Sequence, residues 1–95
     1  MATITHTRLV LTRGVNDRVA DNTPFAKLVT RSIKRFFRGD WGEVDPSDRA
    51  ANDADAKALR AGEWGRVLAV YGTDDDKIWI IGEPGITTVL FPSEY

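Results

Sequence analysis

The feature that most constrains the fold of this chain is a periodic apolar pattern that begins at residue 25. Its six large apolar side chains fall on one stripe of an α-helix, namely Phe25, Leu28, Val29, Ile33, Phe36 and Phe37. Thr23-Pro24 predicts the helix start, with proline at the first helical position, and Gly39 predicts its end. A helix with one apolar side needs a second layer of structure to bury that side.

A second helix is predicted from Asp45-Pro46, with Asp45 as N-cap, to about Ala61, where Gly62 stops it. Its expected packing stripe consists of small residues, which are Ala51, Ala54, Ala58 and Ala61. The NDRVADN segment before the first helix is expected to be a loop that holds at most one helical turn.

Four β-rich runs cover residues 8–12, 66–71, 77–81 and 86–91, and the last three predict an antiparallel meander. Pro84-Gly85 fits the central positions of a type II turn. Ile78 and Ile80 alternate with Trp79 and Ile81, so both sheet faces are apolar. One face is expected to lie under the helices, and the other needs a further element, a partner or a second copy.

These elements predict a single α+β domain over residues 1–95, with a three- to four-stranded, mostly antiparallel sheet and two helices packed on one face. The chain contains no cysteine, which excludes disulfides and thiolate chemistry and favours a cytoplasmic setting. The N-terminus is too polar for a signal peptide, and no apolar run approaches the roughly 20 residues of a membrane helix.

The sequence offers few groups for catalysis. His6 is the only histidine and is expected at the surface or at a strand edge, which leaves no metal cluster of histidines and no catalytic triad. Asp40 with Glu43, and the run 74–76, could attract a divalent cation, but neither has a full ligand pattern. We therefore expect no enzyme, no cofactor and no bound metal.

Charge is divided unevenly along the chain. Residues 1–39 hold eight lysines and arginines against two acids, whereas residues 40–95 hold five against twelve. The two halves either attract each other within one fold, which is the favoured interpretation, or present charged surfaces to partners. For nucleic acid the candidates are the basic helix residues Lys27, Arg31, Lys34, Arg35 and Arg38, although a solvated helix face is the simpler explanation.

For a protein partner the candidates are acidic, because clustered acids can imitate the charge of a nucleic acid, although helix N-termini favour acids in any case. The acids are Asp40, Glu43, Asp45, Asp48, Asp53, Asp55, Asp74, Asp75 and Asp76, and the aromatic Trp41 is a further candidate. Trp41 lies between two glycines and either plugs the gap between the helices, which is favoured, or anchors a partner. Trp64 and Trp79 are expected in the core or on a sheet face.

Four segments, RLVLTRGVNDRVA, RFFRGDWGEVDPSDRAANDAD, GRVLAVYGTDDDKIWIIGE and TTVLFPSEY, together resemble a family of short proteins carried on plasmids, conjugative elements and prophages. The resemblance rests on positions 39–42, 48, 52, 66–68, 71, 78–81, 87, 88, 90–92, 94 and 95, with departures at Gly82 and Gly85-Ile86. It implies a mobile-element protein that inhibits CRISPR immunity by binding a Cas9-type effector. A nucleic-acid-binding accessory protein and a structural homodimer are the alternatives.

Overall fold

A computed structural model describes residues 7–95, so the prediction for His6 lies outside the described residues. Four strands and three helices follow one another as β1 Arg8–Leu11, α1 Arg13–Asp21, α2 Thr23–Phe37, α3 Pro46–Arg60, β2 Val67–Tyr71, β3 Ile78–Glu83 and β4 Ile86–Leu90. Short 3-10 turns occupy Asp74–Asp76 and Pro92–Glu94. Within residues 7–95, no helix is long and apolar enough to cross a membrane.

The sheet has the strand order β1-β4-β3-β2. The pairs β2–β3 and β3–β4 are antiparallel, and Gly85 takes the positive φ of 78° that a type II turn requires at this position. β1, in contrast, lies parallel to β4, with Arg8 opposite Ile86. The α+β class is confirmed, whereas the finer prediction of two helices with a mostly antiparallel sheet becomes three helices with a mixed sheet.

The third helix is α1, in the segment that was expected to be a loop. Gly14, Asn16 and Asp17 are poor helix formers, which explains the loop prediction. Val15 is nevertheless fully buried and Val19 packs against the core, while Thr12 caps the N-terminus. Burial of this valine stripe outweighs the weak local preference, because tertiary packing supplies most of the stability of a short helix.

Helix α2 carries the apolar stripe that the sequence predicts. Phe25, Val29 and Phe36 are buried in the core. The helix begins at Thr23, one position before the expected proline, because Asn22 is its N-cap and accepts a hydrogen bond from the Phe25 amide at 3.0 Å. Asn22 also ends α1, which makes the connection between the two helices as short as one residue.

The two faces of the sheet have different surroundings. Tyr71, Ile78 and Ile80 lie on the inner face, where they join the helices in one core. On the outer face Ile81 is buried, and the ring of Trp79 meets the Tyr95 ring edge-on at 5.5 Å. The chain thus covers part of its own outer face, and a homodimer stays a prediction.

Helix α3 has the predicted bounds but not the predicted stripe. Asn52 and Ala56 are its buried residues, whereas Ala51 and Ala54 are exposed. The alanine prediction was wrong because α3 lies along the edge of β2, where a polar side chain can pair with backbone groups. The Asn52 amide group donates to the Leu68 carbonyl at 2.8 Å and accepts from the Leu68 N–H at 3.2 Å.

The rest of the β2 edge is paired by neighbouring residues. The Asp55 carboxylate accepts from the Arg66 N–H at 3.1 Å, just before the strand begins. Near the other end, the Val70 N–H donates to the Trp41 carbonyl at 3.0 Å, and the Glu43 N–H donates to the Val70 carbonyl at 2.8 Å. An edge strand with free backbone groups invites pairing with other chains, and these contacts close that edge.

Replacement of Asn52 by alanine should lower the free energy of unfolding by about 1–3 kcal/mol, because both Leu68 backbone groups lose their partner. Denaturant unfolding measures the change. The matched control is Asn16→Ala, since Asn16 is an exposed asparagine inside α1, and its effect should stay within about 0.5 kcal/mol. Equal effects of the two substitutions would contradict the role of Asn52 at the strand edge.

Candidate partner-binding site

The GDWG segment, residues 39–42, joins the end of α2 to the edge of β2. Gly39 donates its N–H to the Phe36 carbonyl at 3.0 Å, and the Asp40 N–H donates to the Arg35 carbonyl at 2.9 Å, which ends the helix. The Asp40 carboxylate accepts two hydrogen bonds from the Arg35 guanidinium, at 2.8 and 3.1 Å. It also accepts from the Gly42 N–H at 3.1 Å, so one side chain fixes both the helix end and the loop.

This cluster has a defined electrostatic state. The hydrogen bonds from Arg35 hold the pKa of Asp40 below its ordinary value, and the same contact raises the pKa of Arg35. The Tyr71 hydroxyl donates to the Asp40 carbonyl at 2.6 Å, and burial together with the Asp40 charge raises the Tyr71 pKa. Asp40 is thus engaged within the fold, where it holds Arg35.

Stability should therefore fall in acid, since a carboxylate with a lowered pKa stabilises the fold only while it is ionised. The loss begins near pH 4, the ordinary aspartate value, and continues as the pH falls through the lower folded-state pKa. Asp40→Asn should cost about 0.5–1 kcal/mol at pH 7, a small value because the pair is partly exposed. Thermal melts of both proteins should converge toward pH 2.

The control for this series is Asp17→Asn, because Asp17 is exposed on α1. Its effect should stay within about 0.5 kcal/mol at neutral pH. An Asp40→Asn deficit that persists unchanged at pH 2 would show that the deficit does not come from the ionised carboxylate.

Trp41 lies inside the fold. Its side chain is 4% exposed, its ring meets the Phe36 ring at 5.4 Å, and its Nε1–H donates to the Asp53 carboxylate at 2.8 Å. Gly42 follows with a φ of 75°, and a Cβ atom there would collide with the Val70 carbonyl oxygen. The tryptophan thus occupies the gap between α2 and α3, the position that the plug interpretation gives it.

Trp64 has the opposite environment. It is 71% exposed in the connection between α3 and β2, so the prediction of a core or sheet-face position was wrong. The sequence pattern around it has no helical or strand periodicity that would have fixed its direction.

The two tryptophans form a matched pair for mutation. Trp41→Ala should lower the free energy of unfolding by about 3–5 kcal/mol, the usual cost of removing a buried large aromatic side chain. Trp64→Ala should change it by less than about 0.5 kcal/mol. Denaturant unfolding followed by circular dichroism gives both values, and a fully stable Trp41→Ala variant would contradict the plug.

Five more of the acidic candidates also have contacts within the chain. Asp45 caps α3 by accepting from the Asp48 N–H at 2.9 Å. Asp53 binds Trp41, Asp55 binds the Arg66 backbone, and Asp76 pairs with Arg18 at 3.2 Å. For Asp75 the contact is through its backbone carbonyl, which accepts from Arg18 at 2.6 Å. Among the acidic candidates, the carboxylates that form no ion pair and accept no hydrogen bond within residues 7–95 are those of Glu43, Asp48, Asp74 and Asp75.

The structure brings three acidic candidates together at one groove. This acidic groove, between the first turns of α3 and strand β2, has a volume of about 400 Å³. Carboxylates line it at Glu43, Asp45 and Asp48, and the apolar side chains of Leu68 and Val70 line it from the sheet. Val44, Ala51, Asn52 and Arg66 complete the lining. Asp74–Asp76 are not part of it, because they lie in the connection between β2 and β3.

Among the described residues that line the groove, Arg66 is the only cation, and its guanidinium binds residues outside the groove. Its guanidinium pairs with Glu83 at 3.6 Å and donates to the Tyr95 hydroxyl at 2.6 Å. The groove therefore keeps a negative character. The sequence indicated its carboxylates but not its apolar floor, since only the packing of α3 beside β2 joins Leu68 and Val70 to the acids.

The basic candidates stay on one helix but separate into two groups. Arg35 is bound to Asp40 and lies over the Tyr71 ring at 5.0 Å. The other four cations are exposed, and within the described residues none of them forms an ion pair: Lys27, Arg31, Lys34 and Arg38.

The described residues contain no group of three or more histidine, aspartate or glutamate side chains arranged to hold a metal ion. Comparison of the chain with models of protein families, with curated protein sequences and with solved structures finds no match. The candidate residues thus form two charged surfaces, the acidic groove and the exposed cations Lys27, Arg31, Lys34 and Arg38.

Proposed function

We propose that this protein acts by binding, as a non-enzymatic inhibitor of a host defence nuclease on behalf of a mobile genetic element. The proposed target is a CRISPR effector of the Cas9 type, which is the partner class implied by the resemblance. The observation that carries the proposal is the acidic groove, whose lining combines the three acids Glu43, Asp45 and Asp48 with the apolar side chains of β2.

The groove suits a lysine or arginine side chain of a partner. Leu68 and Val70 offer apolar contact to the methylene stem of such a side chain, and the rim carboxylates of Glu43 and Asp48 offer charge to its head group. Asp45 adds a third negative charge, because hydrogen bonds from the Asp48 N–H and the Ser47 hydroxyl lower its pKa.

The proposed target has matching chemistry. Effectors of the Cas9 type hold their guide–target duplex in a positively charged channel, so their nucleic-acid-binding surfaces present lysine and arginine. Electrostatic attraction would steer a protein with a negatively charged groove toward such a surface. There the protein would compete with the nucleic acid for the same binding site. Inhibition by occupation needs one inhibitor for each effector and no chemical step.

A DNA-cleavage assay with a guide-loaded Cas9-type effector tests the proposal. Cleavage should fall in proportion to added protein and reach its minimum near one molecule per effector, and the two proteins should elute together in gel filtration. If cleavage stays complete at a hundredfold excess of this protein and the two proteins elute separately in gel filtration, the Cas9-type effector is not the target.

Charge reversal tests the surface. Glu43→Lys with Asp48→Lys should raise the concentration needed for half inhibition by about tenfold or more, because two attractive contacts become repulsive. The matched control reverses Asp17 and Asp21, two exposed acids of α1, and should leave inhibition unchanged. If reversal of Asp74 and Asp75 abolishes inhibition instead, the acidic groove is not the contact surface.

A further inference from the structure

The exposed cations of α2 and of its C-cap, Arg38, form a continuous stripe that the proposed function does not use. The stripe consists of Lys27, Arg31, Lys34 and Arg38, with spacings of four, three and four residues. At 3.6 residues per turn, these positions lie within about 60° of one another around the helix axis and extend over about 16 Å. Arg35 falls outside this arc and is paired with Asp40.

The C-terminal part of the stripe borders a cleft of about 210 Å³, lined by Arg31, Lys34, Arg35 and Arg38. All four lining residues are cations, and Arg38 lies close enough to Asp40 to contribute to the lowering of its pKa without forming an ion pair. Three of the four, Arg31, Lys34 and Arg38, form no ion pair within the described residues, so their guanidinium and ammonium groups offer the hydrogen-bond donors and positive charge that a phosphate group requires.

We infer that this stripe binds the phosphate backbone of a nucleic-acid duplex. The binding is independent of base sequence, since affinity from lysine and arginine contacts to phosphates carries no sequence information. This inference does not depend on the proposed function, because it uses a different element and different residues from the acidic groove.

The surroundings of the stripe favour nucleic acid over other anionic partners. Membrane-surface helices insert an apolar side into the lipid, but the apolar side of α2 is buried in the core through Phe25, Val29 and Phe36. Protein interfaces usually depend on exposed aromatic or aliphatic anchors. Among the described residues the exposed large apolar side chains are Leu9, Trp64 and Tyr95, and none belongs to α2. A surface that presents exposed cations without a large apolar anchor fits a polyphosphate.

Fluorescence anisotropy with a labelled 20-base-pair DNA duplex and the 95-residue protein tests the inference. The dissociation constant at physiological salt should lie at ~10⁻⁴–10⁻⁶ M, the range of non-specific binding. A plot of the logarithm of the association constant against the logarithm of salt concentration should have a slope of about −3.6, the value for four phosphate contacts. This slope corresponds to a roughly 150-fold loss of affinity between about 50 and 200 mM salt. The corresponding single strand should give a shallower slope of about −2.8.

Neutralisation of two stripe residues, Arg31→Gln with Lys34→Gln, should halve the slope to about −1.8. The matched control, Lys57→Gln with Arg60→Gln on α3, removes the same charge and should leave the slope unchanged. If the first variant fails to fold by circular dichroism, Lys27→Gln with Arg38→Gln makes the same test.

Three results would overturn the inference. They are a salt-independent dissociation constant, an equal loss of binding in the α3 control, and tighter binding to phosphatidylserine vesicles or to polyglutamate than to the duplex. The last result would assign the stripe to a membrane or to an acidic protein.

Discussion

The free edge of strand β2 is the constraint on which the rest of this structure depends. An unpaired strand edge exposes backbone donors and acceptors, and a small sheet must satisfy or block them. Here Asp55 and Asn52 of α3 pair with the backbone from Arg66 to Leu68, and the GDWG segment pairs with Val70. The position of α3 beside the sheet, the burial of Trp41 and the need for glycine at position 42 all follow from closing this edge.

Contacts within the fold account for much of the charge pattern. The carboxylates of five acids that the sequence suggests as partner-binding residues form contacts within the fold instead. They cap a helix, accept hydrogen bonds from other residues or form ion pairs. Two of the three ion pairs in the described residues, Arg18–Asp76 and Arg35–Asp40, join the basic first part of the chain to the acidic second part. Of the candidate residues, those left without such contacts in the described part of the chain are a few carboxylates at the acidic groove and at the β2–β3 connection, and the four cations Lys27, Arg31, Lys34 and Arg38.

Much of the fold was predictable because periodicity and capping residues are local signals. The stripe of α2, the start of α3 at Asp45-Pro46 and the meander of β2, β3 and β4 all agree with the structure to within one or two residues at their ends. Helix α1 was missed because its glycine, asparagine and aspartate disfavour a helix, while its valines are buried by contacts with the distant elements α2 and β4. The acids of the groove were predictable because they cluster in the sequence. Its apolar residues were not, because they come from a strand about twenty residues later in the chain.

The sequence by itself determined the class of fold, the positions of the main helices and strands, and the separation of charge between the two parts of the chain, because each depends on residues near one another. Tertiary structure decided the parallel pairing of β1, the closure of the β2 edge, the burial of Trp41 and the exposure of Trp64. It also decided which charges stay available, since a carboxylate or guanidinium is free only if no distant backbone group or side chain binds it. That outcome depends on contacts between distant residues, which form only when the chain has folded.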